Sequence, residues 1–411
     1  MVRFNSSCTL PYWVMRAGVI GAVLVVLVVA SSGAGYLIGT NNHSTSTSTS
    51  ISISTLTSIL TSAHTSSQTV FATITTTVNT GTSTTILATP IPVSSVETAD
   101  VSLGGSPHTI AVNPNTNRIY VTVGSNGLVV IDALSHAVVA RVRLPAISNN
   151  GIAIDFNSNT VYVLVQGGVA VINGTTNTVV REFSIDFGYR SIAYDSSTHT
   201  LYGSPQGTGT GYLLGVDGRT GAVVANISLG YWASDVVVNP SINMIYAVGC
   251  DQFGLACGSV VSVVNGTSKT VVNRVNLGSD YYATATIDQR TGFVYVTGDS
   301  SLVELDRLGK VVYDSYPETC GPFIGMSVDS SLNQVLLAPQ NYPYLLAYNR
   351  VFGNLVNMYS LPDLPRYVAY NSVTNETYVI VSESLLAFHG IATTGHVNGT
   401  LIGSDQNCLP V

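Results

Sequence analysis

From about residue 107 onward one pattern is written seven times, and a tandem repeat of this period restricts the fold more than propensity or composition does. An Asn or Asp ends a short apolar run at Asn113, Asp155, Asp195, Asn239, Asp288, Asp329 and Asn371, at spacings of 40 to 49 residues. A second β-rich run follows with a tyrosine at its centre (Tyr120, Tyr162, Tyr202, Tyr246, Tyr295, Tyr378); the sixth unit has Leu336 there. A third run, such as LVVID, VAVIN or LVELD, ends at Asp132, Asn173, Asp217, Asn265, Asp306, Asn349 or His389. A fourth closes most units, as in VVARVRL, VVREFSI and VVNRVNL. Runs of β-branched and aromatic residues bounded by Asn, Asp and Gly read as strands joined by turns. A lone four-stranded sheet cannot hide both of its faces, whereas seven sheets packed face to face around an axis hide all of them. The repeat therefore predicts an all-β fold: a seven-bladed β-propeller of four-stranded blades over residues 96–390.

Ring closure is legible too. The segment TADVSLG (98–104) looks like the fourth strand of other units, such as VANISLG (224–230), yet it precedes the first unit. It is expected to complete the seventh blade beside residues 385–388 and so join the two chain ends. The alternative donor is the C-terminal segment 396–402.

The front of the chain is of another kind. Arg3 and Arg16 are its only charged residues before Glu97. Residues 17–38 (AGVIGAVLVVLVVASSGAGYLI) are mostly apolar and, as a helix, long enough to cross a bilayer. The two arginines precede that span, so the positive-inside rule places residues 1–16 in the cytoplasm and the rest outside. The competing reading is a signal peptide cut near Ala30 or Ala34. Residues 39–95 are dominated by Ser and Thr, cannot bury a core, and read as a stalk of the O-glycosylated or bare-linker kind. Residues 391–411 form a C-terminal tail. The expectation is a single-pass membrane protein with an extracellular propeller.

The stretch PHTIAVNPNTNRIYVTVGSNGLVVIDALSHAVVARVRL (107–144) resembles the YVTN-family β-propeller repeat of cell-surface proteins, and the likeness extends over about residues 96–388. The sixth unit, SVDSSLNQVLLAP, departs by lacking the tyrosine. The resemblance implies a seven-bladed surface propeller of the surface-layer type and no one activity, because propellers host unrelated functions.

In a propeller the turns between first and second strands, and between third and fourth, share one face. Here they carry Asx and type I turn chemistry; DGRTG (217–221) belongs to this set and reads as a turn rather than a calcium loop. The opposite face receives the irregular segments GSPQGTGTG (203–211), CDQFGLAC (250–257), YPETCGPF (316–323) and PQNYP (339–343). Irregular loops on a regular scaffold carry function, so this loop face is expected to meet the partner. Cys250 and Cys257 can staple one loop, and Cys320 and Cys408 are the second candidate pair; four thiols allow three connectivities. Candidate glycosylation sequons stand at Asn42, Asn173, Asn226, Asn265, Asn375 and Asn398. Glycans on the turn face would leave the loop face for binding.

The mouth of each first strand aligns as His108, Asn150, Arg190, Ser234, Ala283, Ile324 and Arg366, followed one step on by Asp235 and Tyr367 among others. His108, Asn150, Arg190, Asp235, Arg366 and Tyr367 are the candidate binding residues at a central channel, where His108, Arg190 and Arg366 suit an anion. Catalytic signs are few. There is no GxSxG elbow, and Asn150 and Asp235 are too few inward oxygens for a metal-dependent hydrolase. His108, His136, His199, His389 and His396 do not share one phase of the repeat, so no metal or cofactor set emerges. Only Lys269 and Lys310 are lysines, and 9% of residues are charged, with a net charge of −7, which speaks against a nucleic-acid binder. The expected role is a binding scaffold at the cell surface with a protein or polysaccharide partner. The alternative is an extracellular propeller enzyme or cofactor protein acting on a small substrate.

Overall fold

Each repeat folds as one antiparallel sheet, for the reason its sequence suggests: four β-rich runs with turn residues at fixed offsets. The computed structural model describes residues 97–389 except 125–126, 146, 186–190, 206–210, 251–258, 279–283, 298–301, 316–321 and 351–354. Seven four-stranded sheets result. The first contains β2 (Pro107–Asn113), β3 (Arg118–Val123), β4 (Gly127–Asp132) and β5 (Val138–Val142). The other innermost strands are β6 (Ile147–Asp155), β10 (Ile192–Asp195), β14 (Trp232–Asn239), β18 (Thr284–Ile287), β22 (Phe323–Asp329) and β26 (Pro365–Asn371). Each innermost strand touches the next all the way round, and β26 touches β2, so the ring is closed. The expected anchor, stalk and tail, with Asn42, Asn398 and Cys408, lie outside the described residues, as do Cys257 and Cys320. Among the described residues no helix is long and apolar enough to cross a membrane.

The N-terminal segment closes the ring, as its likeness to a fourth strand predicts. The seventh sheet runs β1 (Glu97–Ser102), β28 (Ser384–His389), β27 (Glu376–Val381), β26. Val101 pairs with Leu385 and Ser102 with Ser384. The seam is also bridged on the turn face, where His136 Nε2 of the first blade lies 3.2 Å from both carboxylate oxygens of Glu376.

The hydrophobic cores belong to pairs of blades. Tyr378, Ile380 and Leu385 of the seventh blade pack with Ile119, Val121 and Val129 of the first. Tyr120, Leu128 and Val130 of the first pack with Val161, Val163 and Ile172 of the second. The same holds at every other junction.

The two recurrent residues have separate structural tasks. The seven Asn and Asp residues each accept the N–H two residues on, at 2.9 to 3.2 Å. This Asx turn carries the chain into a left-handed residue two steps further, at Asn117, Asn159, His199, Asn243, Gly292, Asn333 and Asn375. Asn and Gly tolerate that region best. The tyrosines are fully buried and aim across to the next blade's outer turn. Tyr246 donates to the Arg307 carbonyl at 2.6 Å, Tyr378 to the Ala133 carbonyl at 3.4 Å, and Tyr202 accepts from Lys269 Nζ at 2.8 Å. Asp217 also makes a turn, accepting the N–H groups of Arg219 and Thr220 at 2.9 Å each.

Two outcomes follow. A chain beginning at Gly105 loses β1, exposes the edge of β28, and opens the core that buries Val101 and Leu103. Each such side chain is worth about 1.5–3 kcal/mol, so the single cooperative thermal transition of the propeller is expected to broaden or split. A melt like that of the full chain would contradict ring closure by β1. Tyr246→Phe removes one cross-blade hydrogen bond and is expected to cost about 1 kcal/mol in denaturant unfolding.

Candidate functional site: the mouth and channel

The mouth positions found in the repeat are β-bulges. Ladder pairing skips one residue between Pro107 and Thr109, Ala233 and Asp235, Phe323 and Gly325, and Pro365 and Tyr367. The skipped residues are His108, Ser234, Ile324 and Arg366. In the second blade the ladder is irregular from Ile147 to Ile152, a stretch that includes Asn150. A bulge leaves one residue out of the ladder and re-aims its side chain. The entrance is therefore lined by residues released from sheet geometry, and their identities vary freely between blades.

A cavity of about 520 Å³ lies inside the ring of first strands. It is lined by Ser234 and Ile324 of the mouth itself and by Gln340, and five of its polar side chains sit one step deeper than the mouth: Thr109, Ser191, Asp235, Thr284 and Tyr367. Glycines hold this position in the second and sixth blades. At Gly325 a Cβ would lie 2.8 Å from the Arg366 carbonyl oxygen, so the approach of two inner strands requires glycine there. One further step in, the wall is apolar, with Ile110, Ile152, Ile192, Val236, Met326 and Val368.

Asp235 ties three blades together. Its carboxyl accepts the Val236 N–H at 2.9 Å within its own strand. From the fifth blade it accepts the Ala285 N–H at 2.8 Å and the Thr284 hydroxyl at 3.0 Å. Ser191 of the third blade adds a side-chain hydrogen bond. Burial pushes this carboxyl above the ordinary carboxylate value, and the four hydrogen bonds offset that only in part. The sequence marked Asp235 as a binding residue; in the fold it is first a staple.

His108 and Arg366 come together across the closing seam, on the mouths of the first and seventh blades. Burial, and then the Arg366 charge, lower the His108 pKa below the usual imidazole value. Two full cations at this rim are therefore disfavoured at neutral pH, and Arg366 carries the charge. Tyr367 lines the cavity, and burial pushes its phenol up to about 12, with Arg366 pulling down and Asp235 pushing up. Arg190 and the Asn150 side chain lie outside the described residues. Thr109, Ser191 and Thr284 were missed by the sequence reading. Sliding the seven-way alignment by one residue would have found them, since every blade then shows Gly, Ser, Thr, Asp or Tyr. Among the described residues no group of His, Cys, Asp and Glu is placed to hold a metal ion.

Of the sequon asparagines described, Asn173 and Asn265 stand in the outer turns, where each accepts two N–H groups. Asn226 is exposed on the fourth strand of its blade. Asn375 is half-buried and accepts the Tyr370 hydroxyl at 2.7 Å.

No family model matches the chain and no curated protein matches it. Solved structures do. A chain of Kuenenia stuttgartiensis hydrazine synthase superposes with a TM-score of 0.62 at 14% identity, covering 74% of this chain and 99% of that one. The β-propeller domain of Myceliophteria thermophila Cps50 (Swd1) superposes with a TM-score of 0.60 at 11% identity, covering 72% and 99%. At such identities the likeness is one of fold.

Asp235 offers a test by titration. An acid whose pKa is raised on folding holds its proton more tightly in the native state. Its contribution to stability is then present below the unfolded value and is lost as pH rises through the folded value. The stability of the wild type minus that of Asp235→Asn is expected to fall as pH rises from below about 4, measured by denaturant unfolding in steps toward neutrality. A pH-independent difference would refute the raised carboxyl.

Proposed function

We propose that the propeller is a binding scaffold of the YVTN surface type, held outside the cell by the apolar span 17–38 and the Ser/Thr-rich stalk, and that its partner, a surface protein or polysaccharide, docks on the channel mouth. The observation that carries this reading is the contrast between the two faces. On the turn face the recurrent Asn and Asp side chains, with Tyr246 and Tyr378, are spent on the protein's own backbone. At the mouth the bulged positions hold His108, Ser234, Ile324 and Arg366, four different chemistries on one repeated geometry. Variation at a structurally repeated position is what recognition of a non-symmetric partner needs. The sequons at the exposed Asn173 and Asn226 would be open to glycosylation in an exterior location, where Cys250, Cys257, Cys320 and Cys408 would be free to form disulfides. Propellers serving as interaction platforms occur on this fold without shared sequence, which agrees with the reading and adds no identity to the partner.

Both lysines of the chain, Lys269 and Lys310, sit on the turn face, so amine-reactive cross-linkers report on the wrong side. A photo-reactive residue placed at position 366, and separately at 219 in an outer turn, tests the docking face directly on intact cells. The expected result is a covalent adduct with a surface protein or polysaccharide from position 366 and none from 219. The reverse pattern would move the partner to the turn face and overturn the proposal.

A further inference from the structure

A hydroxyl has one proton to give, and around Asp235 those protons are already given. The Thr284 hydroxyl of the fifth blade donates to Asp235 Oδ2 at 3.0 Å. The Ser191 hydroxyl of the third blade donates to the same carboxyl and accepts the Val236 N–H at 3.4 Å. At the rim of this sector the Ser234 hydroxyl donates to the Val248 carbonyl at 3.1 Å. All three residues line the cavity. An oxygen whose proton is committed can meet a ligand only as an acceptor. The sector built by the third, fourth and fifth blades therefore turns acceptors, and no hydroxyl donors, toward whatever enters it.

The charge at the centre of this sector has hydrogen bonds but no counter-charge. The N–H groups of Val236 and Ala285, at 2.9 and 2.8 Å, join the two hydroxyls in holding the Asp235 carboxyl. Among the described residues the ion pairs are Arg118–Asp132, His136–Glu376, Arg219–Asp217 and Arg350–Asp288, and Asp235 belongs to none of them. From the seventh blade, Tyr367 interacts with its charge as a neutral phenol. Burial raises this carboxyl's pKa, and a cation on its channel side would offset that cost. Because the Ser191 and Thr284 hydroxyls both bond this one carboxyl, their oxygens converge on it from the blades on either side. The next residue inward from each of the three is apolar, Ile192, Val236 and Ala285, and all of these line the cavity too. A charged, hydrogen-bond-donating head beside Asp235 and a hydrocarbon body below it match both tiers.

We infer that this sector of the channel binds a small aliphatic primary amine as its ammonium ion, with the charge against the Asp235 carboxylate, the N–H groups on the Ser191 and Thr284 hydroxyl oxygens, and the methylenes against Ile192, Val236 and Ala285. A neutral alcohol would leave the carboxylate without a counter-charge. A quaternary ammonium has no N–H to give the two hydroxyls. A bare metal ion gains nothing from the apolar tier. The cavity of about 520 Å³ has room for an amine of a few carbons. The inference rests on the channel alone and stands apart from whether a macromolecule docks on the mouth.

Titration calorimetry on the full chain at neutral pH, where an alkylamine is protonated, tests it with n-butylammonium, 1-butanol, tetramethylammonium and potassium ion as probes. Saturable binding of butylammonium, with the other three each at least about tenfold weaker, is the expected result. Thr284→Val keeps the side-chain shape, removes the hydroxyl, and is expected to weaken butylammonium about fivefold. Thr284→Ser returns the hydroxyl and is expected to recover most of that loss. Asp235→Asn removes the charge and is expected to weaken butylammonium at least about tenfold. If that chain does not fold, the Thr284 pair decides alone. Butanol binding as tightly as butylammonium would overturn the role of the carboxylate. Tetramethylammonium binding as tightly would overturn the role of the hydroxyl oxygens, and potassium binding as tightly would overturn the ligand class. Wild-type affinity in Thr284→Val and in a folded Asp235→Asn, or no saturable binding of any probe, would overturn the site itself. Failure of the photo-adduct at position 366 on cells would leave these titrations unaffected, so the two proposals fail separately.

Discussion

No sheet in this ring owns a hydrophobic core. Every cluster of buried side chains is shared between consecutive blades, from the first and second round to the seventh and first. A four-stranded sheet has two apolar faces, and each finds cover only on a neighbour. Removing one blade would therefore expose two faces at once. That constraint explains why the two ends of the propeller must meet, and why the strand that completes the last blade comes from the other end of the domain. A ring left open at one junction would leave Val101, Leu103, Tyr378 and Ile380 facing water.

The second constraint concerns polar groups. Tight turns repeated so often leave many backbone N–H groups near buried surface, and each needs an acceptor. The recurrent Asn and Asp residues supply it. Their burial also changes what the composition means. The chain is acidic overall, yet Asp155, Asp195, Asp288 and Asp329 are buried inside turns. A net charge of −7 is thus a poor guide to the field a partner would meet. At the junction of the fifth and sixth blades the scheme is modified: Arg350 reaches into the turn of Asp288 at 2.6 Å and lies over the Tyr295 ring. It stands just past the third strand of its blade, where Arg307 and Ala133 offer only a backbone carbonyl to the preceding blade's tyrosine. A charged side chain lies over the preceding blade's tyrosine here, as Lys269 does over Tyr202 at the junction of the third and fourth blades. Breaking such a buried pair on one side is costly.

The channel is a by-product of closure that the protein then furnishes. Seven inner strands line the channel with their open edges, so the N–H and C=O groups on those edges are left to side chains or water. Asp235 is the internal answer on one side. Bulges at the entrance free His108, Ser234, Ile324 and Arg366 from the alternation that governs the rest of each strand, so the mouth can vary without disturbing any core.

The repeat, the blade count and the closing strand were all legible in the residues, because each follows from local pattern summed over the copies; that the recurrent tyrosines are buried is seen only in the fold. Spacing alone shows that the same unit recurs, and burial alone demands that the units pack on one another. What the residues could not show was where side chains converge. His108 and Arg366 lie far apart along the chain and meet only because the ring closes. The bulge that takes them out of the ladder is invisible in an alternating pattern, and Thr109, Ser191 and Thr284, one residue further on, are seen to line the channel only in the fold. Asp235 reads as a lone acid in sequence and becomes a three-blade staple only when the third and fifth blades are brought beside it. Periodicity along the chain determined the architecture; the axis, where all seven copies face one another, exists only in three dimensions, and there the tertiary structure decided which polar groups meet.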